Sequence, residues 1–201
     1  MKSFLKKFIG LIACFCLLMS ITACGGQKPD EAVKGFFDAL NKNDIKTSAT
    51  FLNSNNKKLS YDNEDQKKIV EKLFPKIQYK IISSTVSGDT ANVKAKITAP
   101  DLVKITNKMA TDLLPTMFTD AMNGNVDEKK EEKLMEDYYI KSLSAKNVTM
   151  TSNEVNIKLV KDANKKTWLI KSSDDLVNAV TGNLEKAVDT LSEKTSNSSQ
   201  K

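Results

Sequence analysis

The spacing of apolar residues changes period near Pro75, and that change limits the chain to folds that join a helical layer to an antiparallel sheet. Before it, Val33, Phe36, Phe37 and Leu40 recur at i, i+3, i+4 and i+7, one buried helical face. The fixed φ of Pro29 suits a first helical position, and Asp30 and Glu31 favour the positive end of the helix dipole. Asn41-Lys42-Asn43 breaks this helix. Asp44 is placed to cap a second, short one that buries Ile45, Ala49 and Leu52. Asn53 to Lys58 reads as a polar loop. A third helix is expected over Glu64–Phe74, with Ile69, Val70, Leu73 and Phe74 apolar and Pro75 as its stop.

Beyond Pro75 the apolar residues alternate. Ile77, Tyr79 and Ile81, then the turn Ser87-Gly88-Asp89, then Ala91, Val93, Ala95 and Ile97 describe a hairpin with one face buried. A second hairpin is expected from Val148 and Met150 through Val155, Ile157 and Leu159, the turn Asp162-Ala163-Asn164-Lys165, then Trp168 and Ile170. Between the hairpins, Leu102, Ile105, Met109 and Leu113 keep a helical register that Pro115 should kink or end. After the break at Gly124-Asn125, a helix over Asp127–Ser142 should turn Leu134, Met135 and Tyr138 inward. A last helix is expected from Leu176 to about Leu191, and the polar residues 193–201 read as a disordered tail. Helices, hairpin, inserted helices, hairpin, helix is an α+β order: a curled antiparallel sheet packed on helices. One domain is expected over residues 29–192, with a helical insertion at about 101–143.

Composition removes several chemistries. There is no histidine, and all 31 basic residues are lysines. Ser–His–acid and Cys–His nucleophilic sites cannot be built, nor can histidine-containing zinc sites. Nucleic acid is not an expected partner, because the lysines are dispersed and the bidentate arginine fork is absent. The acidic pairs Glu64-Asp65, Glu131-Glu132, Glu136-Asp137 and Asp174-Asp175 are neighbours in sequence. Adjacent helical residues point apart, so none is an acid–base pair by itself. Asp162-Ala163-Asn164 opens like a calcium loop but lacks the central glycine and the closing glutamate, so a hairpin turn is expected there. No catalytic residue, cofactor or metal site is therefore expected.

The first residues carry the one specific motif. Met1–Lys7 is cationic, and Phe8–Ile21 is uncharged. A spanning helix needs about 20 apolar residues, so this shorter run suits a cleaved export signal. It ends in Ile21-Thr22-Ala23-Cys24, which resembles the lipobox of bacterial lipoproteins. The resemblance implies a signal peptide over residues 1–23, cleavage between Ala23 and Cys24, and a diacylglyceryl group on the Cys24 thiol. Residues 24–28 would be the lipidated cysteine and its tether, reaching on the order of 20 Å. The other reading is an ordinary secretory signal whose cleavage site precedes a cysteine.

On the lipoprotein reading, Cys14 and Cys16 leave with the leader, and so do Lys2, Lys6 and Lys7. The mature chain then holds 28 lysines against 25 acids, and its only cysteine is acylated. Partner and location follow: the lipid bilayer, on the extracytoplasmic face of the cell membrane. Lysines near the anchor would add a weak attraction to an anionic membrane surface.

Two further stretches carry a resemblance. Residues 29–40 with Asn43-Asp44, and Trp168-Leu169-Ile170 with Asp174-Asp175-Leu176 and Thr181-Gly182-Asn183-Leu184, are similar to uncharacterised lipoproteins of low-G+C Gram-positive bacteria. Those have a cystatin-like or nuclear-transport-factor-2-like domain. The resemblance implies a cone-shaped fold whose concave sheet face can hold a ligand, with no catalytic residue to carry over. The expected function is a non-enzymatic ligand-binding module, with Met109, Phe118 and Trp168 as candidate groove lining. The insertion is either a lid over that groove or ordinary helix packing, and packing is the favoured reading. The alternatives are a module that docks on another envelope protein, and an enzyme that uses carboxylates or lysine in the concavity.

Overall fold

The computed structural model describes residues 26–53, 64–162 and 167–189, without the side chains of residues 65 and 66. The export signal, the lipobox with Ala23 and Cys24, most of the Asn53–Lys58 loop, the turn residues 163–165 and the tail at 193–201 lie outside the described residues.

Helices α1 (Pro29–Asn41), α2 (Ile45–Ala49) and α3 (Glu64–Leu73) precede the sheet. The α1 N-terminus is closed by the Glu31 carboxylate, which accepts the Lys28 backbone N–H at 3.0 Å. Asp44 caps α2 by accepting the Thr47 N–H at 2.9 Å. A 3₁₀ turn over Phe74–Lys76, carrying Pro75, ends α3 one residue earlier than its apolar pattern suggested.

Four antiparallel strands, β1 (Gln78–Ser87), β2 (Thr90–Pro100), β3 (Met150–Lys161) and β4 (Trp168–Ile170), lie in sequence order. Val148 falls outside the second hairpin, whose first strand opens at Met150. Alternation places Ala91, Val93, Ala95 and Ile97 of β2 against Leu159, Ile157, Val155 and Asn153 of β3 on the inner face. The β1–β2 register slips between Ile81 and Ser83, a bulge that leaves Ile82 half exposed. Beyond the bulge, Ser84 and Val86 take the inner positions, and Val86 is open to solvent.

Helix α1 and helix α6 (Asp174–Val180) pack on the inner face. Val33, Phe36, Phe37 and Leu40 meet Val93, Ile97, Ile157, Leu159, Trp168 and Ile170 in the main core. The chain is thus α+β, a curled antiparallel sheet packed on helices.

Helices α4 (Leu102–Met122) and α5 (Glu128–Ser144) form the insertion. Their proximal halves pack with Leu73 of α3 in a second, smaller core built on Leu102, Ile105, Leu143 and Ala187. Their distal halves project as an arm, since α4 buries nothing beyond Ala110.

Three expectations are corrected here. Of the two outcomes expected at Pro115, a kink or an end, the end is ruled out, because the helix runs through it. The carbonyl it leaves without a donor belongs to exposed Thr111, where water can satisfy it. Tyr138 packs on the second core as expected, but Leu134 stays 40% exposed at the cleft between α4 and α5, and the fully buried positions of α5 go to Glu136 and Leu143. The last helix is not continuous: α6 stops at Val180, and helix resumes over residues 184–189. Gly182 and Asn183 sit between with φ of +61° and +63°, a left-handed bend that no α-helix contains.

Candidate functional site

An apolar groove of about 280 Å³ lies between α1, α3 and α6. Helical spacing supplies each wall. Phe36 and Leu40 are one turn apart on α1. Val70 of α3 and Phe74 in the following turn are likewise i and i+4. Leu176, Val177 and Val180 line the α6 side. Ile45 and Leu52 complete the apolar lining, and Ser172 and Thr181 add the two hydroxyls. The Thr181 hydroxyl donates to the Val177 carbonyl at 2.8 Å, so its methyl is free for the groove. No lining side chain is charged. The volume lies near the lower end for small-molecule pockets, and the lining suits a compact, uncharged, apolar group.

The residues expected to line a groove are not brought together. Trp168 is buried in the main core, with the Lys161 ammonium 6.0 Å from its ring centre. Met109 is buried on α4. Phe118 is half exposed on the arm, where Leu113 and Met117 instead face α5 across a small cleft. None of Met109, Phe118 or Trp168 lines the groove. The insertion does not lie over the concave sheet face either, because α5 packs on α3 and α4 packs on α5. Not legible in the sequence was that the apolar faces of α1 and α3 and the last helix, for which no face was read, border one groove. The visible signal was Val177, an apolar residue beside Leu176 that remains 47% exposed.

Ionisable clusters occur elsewhere. Asp38 accepts from Lys34 and from the Tyr79 hydroxyl, and these two bonds hold its carboxyl below the usual range. Tyr79, stacked on Phe37 with ring centres 4.8 Å apart, is pushed up to about 12 by burial and by its bond to Asp38. Asp112 on α4 is lowered by Lys108 and Tyr138, which reach it at 2.7 Å each. Tyr138 is raised by burial and by that carboxylate. Glu136 is 7% exposed and takes Lys68 at 3.1 Å and Lys133 at 3.4 Å. In each cluster the carboxylate is tied to a lysine, and the bonds join α1 to β1, α4 to α5 and α3 to α5. Among the described residues no three His, Cys, Asp or Glu side chains gather as a metal site would require, and no helix is long and apolar enough to cross a membrane.

Family models, curated proteins and solved structures show no match to this chain.

Proposed function

We propose that this chain is a lipid-anchored, extracytoplasmic, non-enzymatic module that binds a small apolar ligand. The groove between α1, α3 and α6 carries that reading: nine apolar side chains and two hydroxyls surround it, with no charge. Burial of apolar surface supplies roughly 25 cal/mol per Å², so a ligand that fills the groove gains most of its affinity without a polar anchor. Attachment is proposed on the lipobox-like Ile21-Thr22-Ala23-Cys24, which would hold the groove within a short tether of the bilayer.

The test is titration with an environment-sensitive apolar dye and competition by short-chain alcohols and fatty acids. Val177→Lys puts a charge on the rim at an exposed position and should weaken dye binding at least tenfold while the thermal midpoint stays near that of the wild type. Equal binding by the variant would show that the dye sits elsewhere.

A second reading, docking on another envelope protein, is favoured by the arm. Leu114, Phe118 and Met122 form an i, i+4, i+8 stripe, and Phe118 and Met122 are 50% and 75% exposed. The Thr111 and Thr119 hydroxyls donate to the carbonyls four residues before them, which leaves methyls on the same helix surface. Phe118→Ser with Met122→Ser separates the readings: it should leave dye binding intact and abolish any protein capture made by the arm.

A further inference from the structure

Among the described residues no helix packs on the outer face of the sheet, and the charges of that face are arranged at a cost. Lys80 on β1 lies directly opposite Lys96 on β2. Past the end of β4, the Lys171 N–H donates to the Lys158 carbonyl at 2.8 Å, continuing the ladder so that these two lysines are neighbours as well. Like charges directly opposite one another destabilise a sheet. Lys94 is the fifth lysine of this face. The one acid there, Glu154, lies across from Lys96 but pairs with Lys94 at 2.7 Å. The remaining outer positions, such as Thr85, Asn92, Thr98, Ser152 and Asn156, are neutral.

Five lysines against one acid exceed the net +3 of the whole mature chain, so the positive excess of the domain resides on this face. Edge protection explains lysine on β1 and after β4. It does not explain Lys94, Lys96 and Lys158, which sit on the two inner strands.

We propose that this open face docks on the anionic headgroups of the bilayer that holds the anchor. Lys158 and Lys171 border a cleft at one end of the face, but Lys80, Lys94 and Lys96 stand outside it, and a chain without arginine offers no bidentate fork for a single phosphate. Ammonium groups spread across a sheet instead match a planar array of anions, and surface lysines gain attraction there that salt screens. Proximity rests on the lipid-anchor reading, since the tether keeps the domain within reach of the surface.

The test uses the full, lipidated chain reconstituted into vesicles of phosphatidylcholine, alone or with about one third phosphatidylglycerol. A dye on Asn156→Cys, on the outer face, reports energy transfer to a headgroup-labelled lipid, and a dye on Thr116→Cys on the arm is the reference. Transfer from position 156 should be strong only with phosphatidylglycerol and should fall with added salt. Replacing Lys80, Lys96, Lys158 and Lys171 by Gln should lower the docked-to-undocked ratio at least about tenfold. Equal transfer on neutral vesicles, or no response to the fourfold variant, overturns the proposal. So does capture of inorganic polyphosphate without approach to anionic vesicles.

Failure of the anchor reads differently, as a chain without lipid mass that is missing from neutral vesicles. In that case the same label on chain added from solution decides: collection on anionic vesicles supports docking, and its absence overturns it.

Discussion

The Tyr79 hydroxyl donates to the Asp38 carboxylate at 2.7 Å and ties the first strand of the sheet to the helix that covers it. The ring also stacks on Phe37, so Tyr79→Phe removes the bond and keeps the stack. The expected loss is about 1 kcal/mol at neutral pH. Asp38 is held below its ordinary value, so its contribution is present above that value and lost as pH falls through the folded one. Tyr79 is raised, so its contribution is complete below the ordinary tyrosine range and lost as pH rises through about 12. Urea midpoints of wild type and variant should therefore differ at pH 7 and converge as Asp38 protonates below its ordinary value of 3.8. A constant gap down to the acid limit would remove Asp38 from the explanation.

Gly182 is fixed by two constraints. Its φ is +61°, and a Cβ there would lie 1.8 Å from the Pro100 carbonyl oxygen. That backbone atom cannot swing aside as a side chain does, and the Gly182 carbonyl accepts the Leu102 N–H at 3.1 Å in the same place. Gly182→Ala should cost about 3 kcal/mol or more, read from chemical denaturation. Gly88→Ala is the control: the glycine has similar φ, with nothing within 4 Å of the added atom, and the cost should be about 1 kcal/mol.

Glu136 is a buried charge of the insertion, and two lysines reach it from different helices. Removing either leaves one cation in place. Lys68→Met and Lys133→Met should each be mild. Together they strand the carboxylate, at a cost of about 3 kcal/mol and beyond the sum of the single changes. A double-mutant cycle measures this, and strict additivity would mean that the carboxylate is solvated from elsewhere.

Cys24→Ser addresses the anchor. Intact mass spectrometry of the wild-type protein from membranes should show a chain that begins at Cys24 and carries diacylglyceryl. The variant should lack that mass and leave the membrane fraction. An uncleaved chain, or one cut elsewhere without lipid, would replace the lipoprotein reading with a signal anchor or free secretion.

Much of the fold was legible because its signals are local. Period-2 alternation in β2 and β3 and the i, i+3, i+4 faces of α1 and α3 are written in consecutive residues, as are the Asp44 cap and the Gly88 turn. Absence of histidine limits the available chemistry in any conformation, and the lipobox-like tetrapeptide is likewise a linear signal.

Contacts between distant elements were decided only in three dimensions. The sequence could not say that the Phe36, Val70 and Leu176 faces part to leave a groove, because each alone looks like ordinary core. Nor could it tell that Leu134 stays partly exposed while Glu136 is buried. That outcome depends on Lys68, 68 positions away, arriving from α3 to neutralise the carboxylate. The helix break at Gly182 follows from the nearby Pro100 carbonyl, and the lysine pairing on the outer face from strand register. Periodicity states which side of an element avoids water. What that side meets is settled by how the elements pack, a global balance of buried area, excluded volume and charge that no short stretch of sequence contains.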